Sequence, residues 1–516
     1  MKNFTGMYAK SICGAISGWD RIRFRGTIRW LASTPGINSY LSTRNILLKN
    51  FGKWAESISA QVRSLCAAQA EQLDIPMIYL PSAAIDKEAY ARRIMAERGV
   101  DTGNLCMFST VEPCSAPLLK GNKATKKLEL HMAPRKCVWI YQYWNDEHLG
   151  FGHTRLQTWL PLSATICLNG RHWLERQLLR ENIGYVKNGN CFVHLDDYAK
   201  AAELIEEQQR SKWPQLLEGL LARNCPDFNT VLGDYPLEYY WSADETEWAT
   251  DIVFRLATEL DRLFPKLARY GLLTAQSPAV MRFLGRADAR GRLPGEVRSD
   301  LRSRYEGLRL KHWVNHNSVK LYNKAGNVLR TETTINQTRE FKVYRHPDDD
   351  TSRPASWQKM RKGVSDLHRR AEVSQASNER YLDHLAAANA AESLRETVGD
   401  ICKRARKDGK SYRAINPWNP EDFQTLQYLA YGEHQLNGFV NKALCEELHG
   451  KAKNAVEQKR LGAKTSRRLR LLRAHGLIRK VPRANRYQLT DKGRRVAAAV
   501  LAASSANTEQ LMNIAA

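Results

Sequence analysis

The residues best suited to chemistry lie in the stretch KLYNKAGNVLRTET at 320–333, where charged and aromatic side chains alternate with apolar ones. This period of two, with a central turn containing Gly326, predicts a β-hairpin. Alternation places Lys320, Tyr322 and Lys324 on one face of the first strand and Arg330 and Glu332 on one face of the second. Cations there would hold phosphates and the ring would stack on a base, so the pattern favours a nucleic-acid site.

The flanking residues, 298–345, extend the same pattern. They hold 11 lysines and arginines against four acids. Aromatic and histidine side chains are interleaved with the basic residues: His312, Trp313, His316, Tyr322 and Tyr344. Such a strip suits a channel for a nucleic-acid strand.

The hairpin resembles the K-x-Y-x-K and R-x-E hairpin of plasmid and phage rolling-circle replication initiators. That resemblance implies an enzyme in which Glu332 binds a divalent metal, Mg²⁺ or Mn²⁺, with His312 or His316. Tyr322 or Tyr344 would attack a DNA phosphate. The cations that would stabilise the transition state are Lys320, Lys324 and Arg330. The His-hydrophobe-His metal motif of those enzymes is missing. In the alternative hypothesis Glu332 pairs with a lysine across the hairpin, and the tyrosines pack or bind nucleic acid without chemistry.

A second candidate metal site lies in DETEWATD at 244–251. We predict a helix that includes this stretch and continues to about 273. Asp244, Glu247 and Asp251 would then share one helix face, where carboxylates can hold Mg²⁺. Acidic residues near a helix N-terminus also match the helix dipole, and that second interpretation is favoured.

The C-terminal residues, 421–502, predict three helices, two short strands and a closing helix with Thr490 as its N-cap. The phrase LLRAHGLIRKV…RYQLTDKGRRV resembles the winged helix-turn-helix of bacterial MarR-like regulators. That resemblance implies a recognition helix at 464–475 and a wing around 482–484. The residues implied to contact nucleic acid are Lys464, Ser466, Arg467, Arg468, Arg470, Arg483 and Arg486. Residues 451–495 carry 16 lysines and arginines against two acids, which supports a polyanionic partner.

Composition narrows the function classes. The chain has 516 residues and a net charge of +25, which favours nucleic acid, with duplex DNA ahead of structured RNA. No apolar run is long enough for a membrane span, and the N-terminal stretch is a poor secretory signal. Ten scattered cysteines without CxxC spacing argue against a zinc finger and predict reduced thiols in the cytoplasm. No P-loop, dinucleotide fingerprint or GxSxG motif is present.

The predicted fold class is α+β, with a mixed helical and antiparallel-sheet body followed by a C-terminal winged helix-turn-helix domain. Within the body, helices are predicted at 172–182 and 196–209. The predicted organisation is consecutive: a helical region at 1–75, an α+β region at 76–210, a helical segment with the basic hairpin at 211–346, a helical region at 347–410, and the winged helix at 421–516.

The whole chain resembles an uncharacterised bacterial protein family that shares blocks such as WDRIRFRGTIRWL, HTRLQTWLPL and SVKLYNKAGNVLRTETTIN. That resemblance implies no activity. Our leading hypothesis is a nucleic-acid-binding protein associated with a mobile element, in one form a metal-dependent nuclease or a strand-transfer enzyme of replication-initiator or transposase type. The rival is a non-enzymatic binder, either a transcriptional regulator or a protein partner of a structured RNA. Catalysis and oligomeric state stay open.

Overall fold

The computed structural model describes residues 1–235, 237–275, 277–285, 296–304, 307–347, 352–386, 394–430, 438–481 and 485–506. The fold class is α+β, as predicted. The helices within these ranges are α1 (Lys2–Met7), α2 (Thr34–Thr43), α3 (Phe51–Gln72), α4 (Lys87–Arg98), α5 (Gly170–Arg180), α6 (Tyr198–Gln209), α7 (Trp213–Asn224), α8 (Ala257–Thr274), α9 (Ser277–Phe283), α10 (Leu367–Ala386), α11 (Leu394–Gly399), α12 (Pro420–Leu429), α13 (Asn441–His449), α14 (Ala455–Ala474) and α15 (Asp491–Ser505).

The strands within the same ranges are β1 (Ile12–Ile28), β2 (Met77–Tyr79), β3 (Gly103–Asn122), β4 (Lys127–Asp146), β5 (Gly150–Gln157), β6 (Ala164–Asn169), β7 (Tyr185–Asn188), β8 (Cys191–Leu195), β9 (Tyr239–Phe254), β10 (Val297–Arg304), β11 (Gly307–Val314), β12 (Asn317–Lys324), β13 (Val328–Ile335), β14 (Lys342–Arg345), β15 (Ser356–Lys359), β16 (Ala405–Lys407), β17 (Lys410–Tyr412), β18 (Phe439–Val440), β19 (Ile478–Lys480) and β20 (Arg486–Leu489).

The chain divides into two compact units rather than five consecutive regions. Unit 1 comprises Met1–Ser17, Trp248–Met360 and Arg369–Ala516. Unit 2 comprises Gly18–Glu247 and Arg361–His368. The predicted boundaries differ because pairing between strands distant in sequence, and not local composition, decides which segments pack together.

Unit 2 is built on strands in the order β1-β6-β5-β4-β3-β2. These strands pair antiparallel except for β2, which is parallel to β3. The predicted helices at 172–182 and 196–209 are confirmed as α5 and α6. Asn169 caps α5 by accepting hydrogen bonds from the backbone N–H groups of Arg171 and His172.

Unit 1 carries the predicted hairpin in strands of order β10-β11-β12-β13-β9. One face of these strands is apolar and packs with α8, α9 and α10 in a core that includes Leu310, Val319 and Leu321. Gly271 of α8 lies against this core, where an added Cβ would be 2.9 Å from Leu310 and 3.0 Å from Leu385. An alanine at this position would displace the ends of those leucine side chains, so the helix and the sheet approach each other closely here.

The C-terminal part of unit 1 has its own apolar core, formed by residues of α12, α13, α14 and α15 with β18, β19 and β20. Its three strands are ordered β18-β20-β19. Thr490 is confirmed as the N-cap of α15, since its side chain accepts a hydrogen bond from the N–H of Gly493. The predicted wing residues 482–484, with Arg483, lie outside the described residues.

Two predictions of local structure were wrong. Residues 244–254 form the second half of β9 and not a helix, so Asp244, Glu247 and Asp251 share no helix face. The run from Trp248 to Phe254 is buried throughout, and a strand buried on both faces has a continuous apolar pattern that periodicity cannot separate from a helix. The region 1–75 likewise contains the 17-residue strand β1.

None of the helices in the described ranges combines the length and the apolar character needed to cross a membrane.

Candidate nucleic-acid interface

The predicted hairpin is formed by β12 and β13. Lys320 lies opposite Glu332, and Tyr322 lies opposite Arg330. Strands β10 and β11 extend the same rows, because Lys311 pairs with Lys320 and Asp300 pairs with Lys311. Directly paired residues in antiparallel strands point to the same face.

One face of strands β10 to β12 therefore collects the cations of this region. We call it the basic face and define it by Arg298, Arg302, Arg304, Arg309, Lys311, Lys320 and Lys324. The edge strand is the most open, since the side chains of Arg298 and Arg302 are 56 % and 62 % exposed. Asp300 is the acid within this set, and it pairs with Arg302 at 2.5 Å and with Arg309 at 3.9 Å.

Aromatic rings lie among these cations. Trp313 is contacted by the guanidinium carbon of Arg298, 4.9 Å from its ring centroid, and by the Lys311 ammonium at 4.5 Å. The Lys324 ammonium is 5.9 Å from the centroid of Tyr322. These are cation–π distances, so the rings and charges form one continuous surface suited to stacking and to phosphate contact.

A cavity of about 190 Å³ opens on the basic face. Its lining is Arg304, Gly307, Arg309, Lys320 and Tyr322. Three of these five residues are cationic, and none of the described lining residues is acidic. The cavity is therefore suited to an anionic group such as a phosphodiester.

Glu332 lies beneath this cavity and is 3 % exposed. The Tyr322 hydroxyl donates a hydrogen bond of 2.9 Å to one carboxylate oxygen, and the Lys320 ammonium pairs with the other. Burial alone would raise the pKa of Glu332, but the charges of Lys320 and Arg330 and these hydrogen bonds lower it to about 2. Glu332 is thus a carboxylate at neutral pH, and its hydrogen bond orients the hydroxyl of Tyr322.

Arg330 does not face the open surface, although the sequence predicted a phosphate contact. Its side chain is 0 % exposed and donates two hydrogen bonds to Asp251, of 2.6 Å and 2.8 Å. A buried arginine needs a buried counter-ion, and β9 supplies one. Arg330 therefore stabilises the sheet beneath the basic face instead of contacting a ligand.

The predicted metal ligands are not brought together. His312 pairs with Val319, one position along from the Lys320–Glu332 row, so it points to the opposite face from Glu332. Its ring hydrogen-bonds with Ser299 Oγ at 2.6 Å and the Tyr381 hydroxyl at 2.9 Å, and burial lowers its pKa to about 4. His316 lies in the turn between β11 and β12. Because side chains alternate between the two faces of a strand, His312 and Glu332 lie on opposite faces of the sheet.

Tyr344 is in a different sheet from Tyr322. It lies on β14, which pairs with β15, and it is 39 % exposed. Its ring contacts Trp357, with centroids 5.8 Å apart, and the Arg486 guanidinium, at 4.8 Å. Tyr344 therefore belongs to an aromatic and cationic patch.

The predicted recognition helix lies within α14. Arg467 and Arg470 are exposed. Lys464 pairs with Glu421 at 3.1 Å, and Ser466 accepts a hydrogen bond of 2.8 Å from Asn441.

Arg468 is a structural residue instead of a surface one. Its side chain is only 9 % exposed. It donates to the Glu421 carbonyl oxygen at 2.6 Å, to Thr425 Oγ1 at 2.8 Å and to the Glu421 carboxylate at 2.6 Å. Arg468 thus joins α14 to α12, and the prediction that it faces nucleic acid was wrong.

Unit 2 contains a pair of carboxylates that sequence reasoning missed. Oxygens of Asp20 and Glu247 lie within 4.8 Å of each other. Asp20 is buried and accepts hydrogen bonds of 2.6 Å and 2.8 Å from Asn190, while Glu247 is 3.5 Å from Arg21. Two carboxylates can hold Mg²⁺ in concert with substrate phosphates. No local motif could have indicated the pair, because its members are far apart in the sequence.

No family model, no curated protein and no solved structure matches this chain.

Proposed function

We propose that the protein binds nucleic acid through the basic face, with duplex DNA favoured and structured RNA as the other substrate class. The observation that carries this proposal is the segregation of the two faces of strands β10 to β12. One face gathers seven lysines and arginines, and the other supplies the apolar core of unit 1. Such a concentration of like charge opposes folding, because the cations repel one another. A bound polyanion would neutralise them and remove this repulsion.

The C-terminal helices supply a second part of the same proposal. Arg467 and Arg470 are three residues apart on α14, so they project from neighbouring positions of one helix face. We propose that α14 acts as the recognition helix of a winged helix-turn-helix, as the MarR-like resemblance implies. Association with a mobile element rests on the resemblances alone. Our proposed location is the cytoplasm, where the ten scattered cysteines of the sequence would stay reduced.

The test is the salt dependence of binding, measured by fluorescence anisotropy with duplex DNA, single-stranded DNA and RNA of the same sequence. Replacing Arg302 and Arg304 with glutamine should reduce the slope of log K against log salt by about two, because each phosphate contact contributes about one. The matched control replaces the exposed Arg93 and Arg210 of unit 2 with glutamine. Equal slopes in the two double variants would contradict the proposal.

A second candidate function is strand transfer or nuclease activity with Tyr322 as nucleophile. The observation that favours it is the Tyr322–Glu332 hydrogen bond beside a cavity lined by cations. In this reaction the phenolic oxygen bonds to phosphorus, the P–O bond to the leaving strand breaks, and the phenolic proton passes through water to the leaving oxygen, while Glu332 orients the hydroxyl. Arg309 and Lys320 would stabilise the added charge. Mg²⁺ or Mn²⁺ is the proposed cofactor. In the nuclease form of this proposal, which does not use Tyr322, the Asp20–Glu247 pair of unit 2 would hold the ion.

The enzymatic form is tested by incubating the protein with Mg²⁺ or Mn²⁺ and labelled DNA or RNA, followed by denaturing electrophoresis. A covalent adduct that is lost in Tyr322→Phe and retained in Tyr344→Phe assigns the nucleophile. Cleavage without an adduct, abolished by Asp20→Asn, favours a metal-dependent nuclease instead. Binding without either product favours the non-enzymatic regulator or RNA partner.

A further inference from the structure

A second polar cavity lies within unit 2. Its volume is about 300 Å³, at the lower end of the range for small-molecule sites. The lining residues are Arg92, Met95, Asn145, Gly150, Phe151, His172, Glu175, Arg176, Lys187 and Gly189. They come from α4, β4, β5, α5, β7 and the turn after β7, so the fold and not a single loop builds this cavity.

Positive charge exceeds negative charge in this lining. Arg92, Arg176 and Lys187 are cationic, and Glu175 is the single carboxylate among the described lining residues. Glu175 forms an ion pair with Lys187 and accepts a hydrogen bond from Tyr185. Burial opposes its charge, but hydrogen bonds from His172 and Lys187 lower the pKa of Glu175 to about 2. Glu175 therefore neutralises Lys187, and Arg92 pairs with Glu88 at 2.8 Å, so Arg176 carries the surplus positive charge of the cavity wall.

His172 has donors at both ring nitrogens. The Lys187 ammonium is 2.9 Å from Nδ1, and an Arg92 guanidinium nitrogen is 3.3 Å from Nε2. Burial lowers the pKa of His172, a hydrogen bond with Glu175 opposes that shift, and the charges of Lys187 and Arg92 lower the pKa further. Arginine and lysine side chains are donors only, so Arg92, Arg176 and Lys187 make the wall richer in hydrogen-bond donors than in acceptors.

The arrangement is held in place by close packing. Gly150 has φ +72°, and a Cβ there would be 2.7 Å from the Cβ of His172. Only glycine allows His172 to lie so near this turn. The Arg92 guanidinium lies over the Phe151 ring at 4.0 Å, which fixes its plane at the cavity wall.

We propose that this cavity binds a phosphate monoester. Arginine forks bind phosphate oxygens in pairs, and an anionic phosphate matches a wall that has a surplus positive charge on Arg176 and further N–H donors on Arg92 and Lys187. Two sources carry this chemistry: a free phosphorylated small molecule such as a mononucleotide, and the terminal phosphate of a nucleic-acid strand. The proposal does not depend on the basic face of unit 1.

The experiment is calorimetric titration of the full-length protein with adenosine 5′-monophosphate, with adenosine as the matched ligand that lacks phosphate. Arg176→Gln and Arg92→Gln should each weaken binding of the monophosphate by at least about tenfold, the loss expected for a charge-assisted hydrogen bond. Arg180→Gln is the control, since Arg180 is exposed one turn along α5 and outside the lining. Thermal unfolding of each variant establishes that it is folded.

A second arm compares two short oligonucleotides, one with a 5′-phosphate and one with a 5′-hydroxyl, in a protein that carries Arg302→Gln and Arg304→Gln. Preference for the phosphorylated strand, lost in Arg176→Gln, assigns the cavity to strand ends. Binding of the monophosphate without that preference assigns it to a free ligand. The proposal is overturned if the wild-type protein does not distinguish monophosphate from adenosine, or if Arg180→Gln weakens binding as much as Arg176→Gln. Both results leave the nucleic-acid proposal for unit 1 untouched.

Discussion

Adjacent arginines on α14 should respond in opposite ways to the same substitution. Arg467 is exposed, whereas Arg468 is 9 % exposed and bonded to α12. Glutamine at 468 removes hydrogen bonds to the Glu421 carbonyl and Thr425 Oγ1, and each bond from a charged donor is worth about 1.5–3 kcal/mol. The Glu421 carboxylate is 58 % exposed, so its ion pair adds at most about 1 kcal/mol. Since water replaces part of what is lost, we expect Arg468→Gln to cost about 3 kcal/mol.

Arg467→Gln should change stability by less than about 0.5 kcal/mol, as is usual at an exposed site. It should, however, reduce the salt slope of duplex binding by about one. Urea unfolding followed by circular dichroism measures the first quantity, and anisotropy at several salt concentrations measures the second. The reasoning is refuted if both variants unfold at the same urea concentration, or if Arg467→Gln leaves the slope unchanged.

Three further outcomes are expected. The folded-state pKa of Glu332 lies near 2, below the usual 4.5. The ionised carboxylate of Glu332 therefore contributes stability above about pH 4.5, and this contribution is lost as the pH falls towards 2. Glu332→Gln should flatten the acid unfolding curve between these two pH values. Asp251→Asn leaves the guanidinium of Arg330 buried without its counter-ion and should cost about 3–5 kcal/mol in urea unfolding, whereas the double variant Asp251→Leu, Arg330→Met should recover most of that loss. Gly493→Ala should destabilise the C-terminal core, because the added Cβ would be 2.0 Å from the carbonyl oxygen of Leu477. Gly462→Ala should raise the free energy of unfolding by about 0.5–1 kcal/mol, because an added Cβ meets open space and alanine favours a helix over glycine. Calorimetric melting of both variants measures this contrast.

Local patterns in the sequence were sufficient to predict the hairpin and several helices. The alternation around Tyr322 predicted its strand and its shared face with Lys320, because both depend on neighbours within about ten residues. The cap at Thr490 is equally local. Predictions of this kind succeed where side-chain direction follows from backbone period alone.

Partners distant in sequence could not be predicted. Whether Arg330 contacts solvent or Asp251 depends on which strand lies beside β13, and whether Arg468 is exposed depends on the position of α12. His312 was proposed as a metal ligand from its residue type, but its bonds to Ser299 and Tyr381 depend on packing between a strand and α10. Tertiary contacts therefore decided the role of each of these side chains.

The discontinuous make-up of unit 1 has a consequence for synthesis on the ribosome. Ser11 and Ser17 of β1 bond with Arg255 and Thr250 of unit 1, which emerge more than 200 residues later. Until then the first strand segment has no partner in its own unit, and its unpaired edge is open to wrong pairing. Translation thus completes Gly18–Glu247 of unit 2 before the partners of the opening segment are made, so we expect chaperones to assist the folding of this chain during its synthesis.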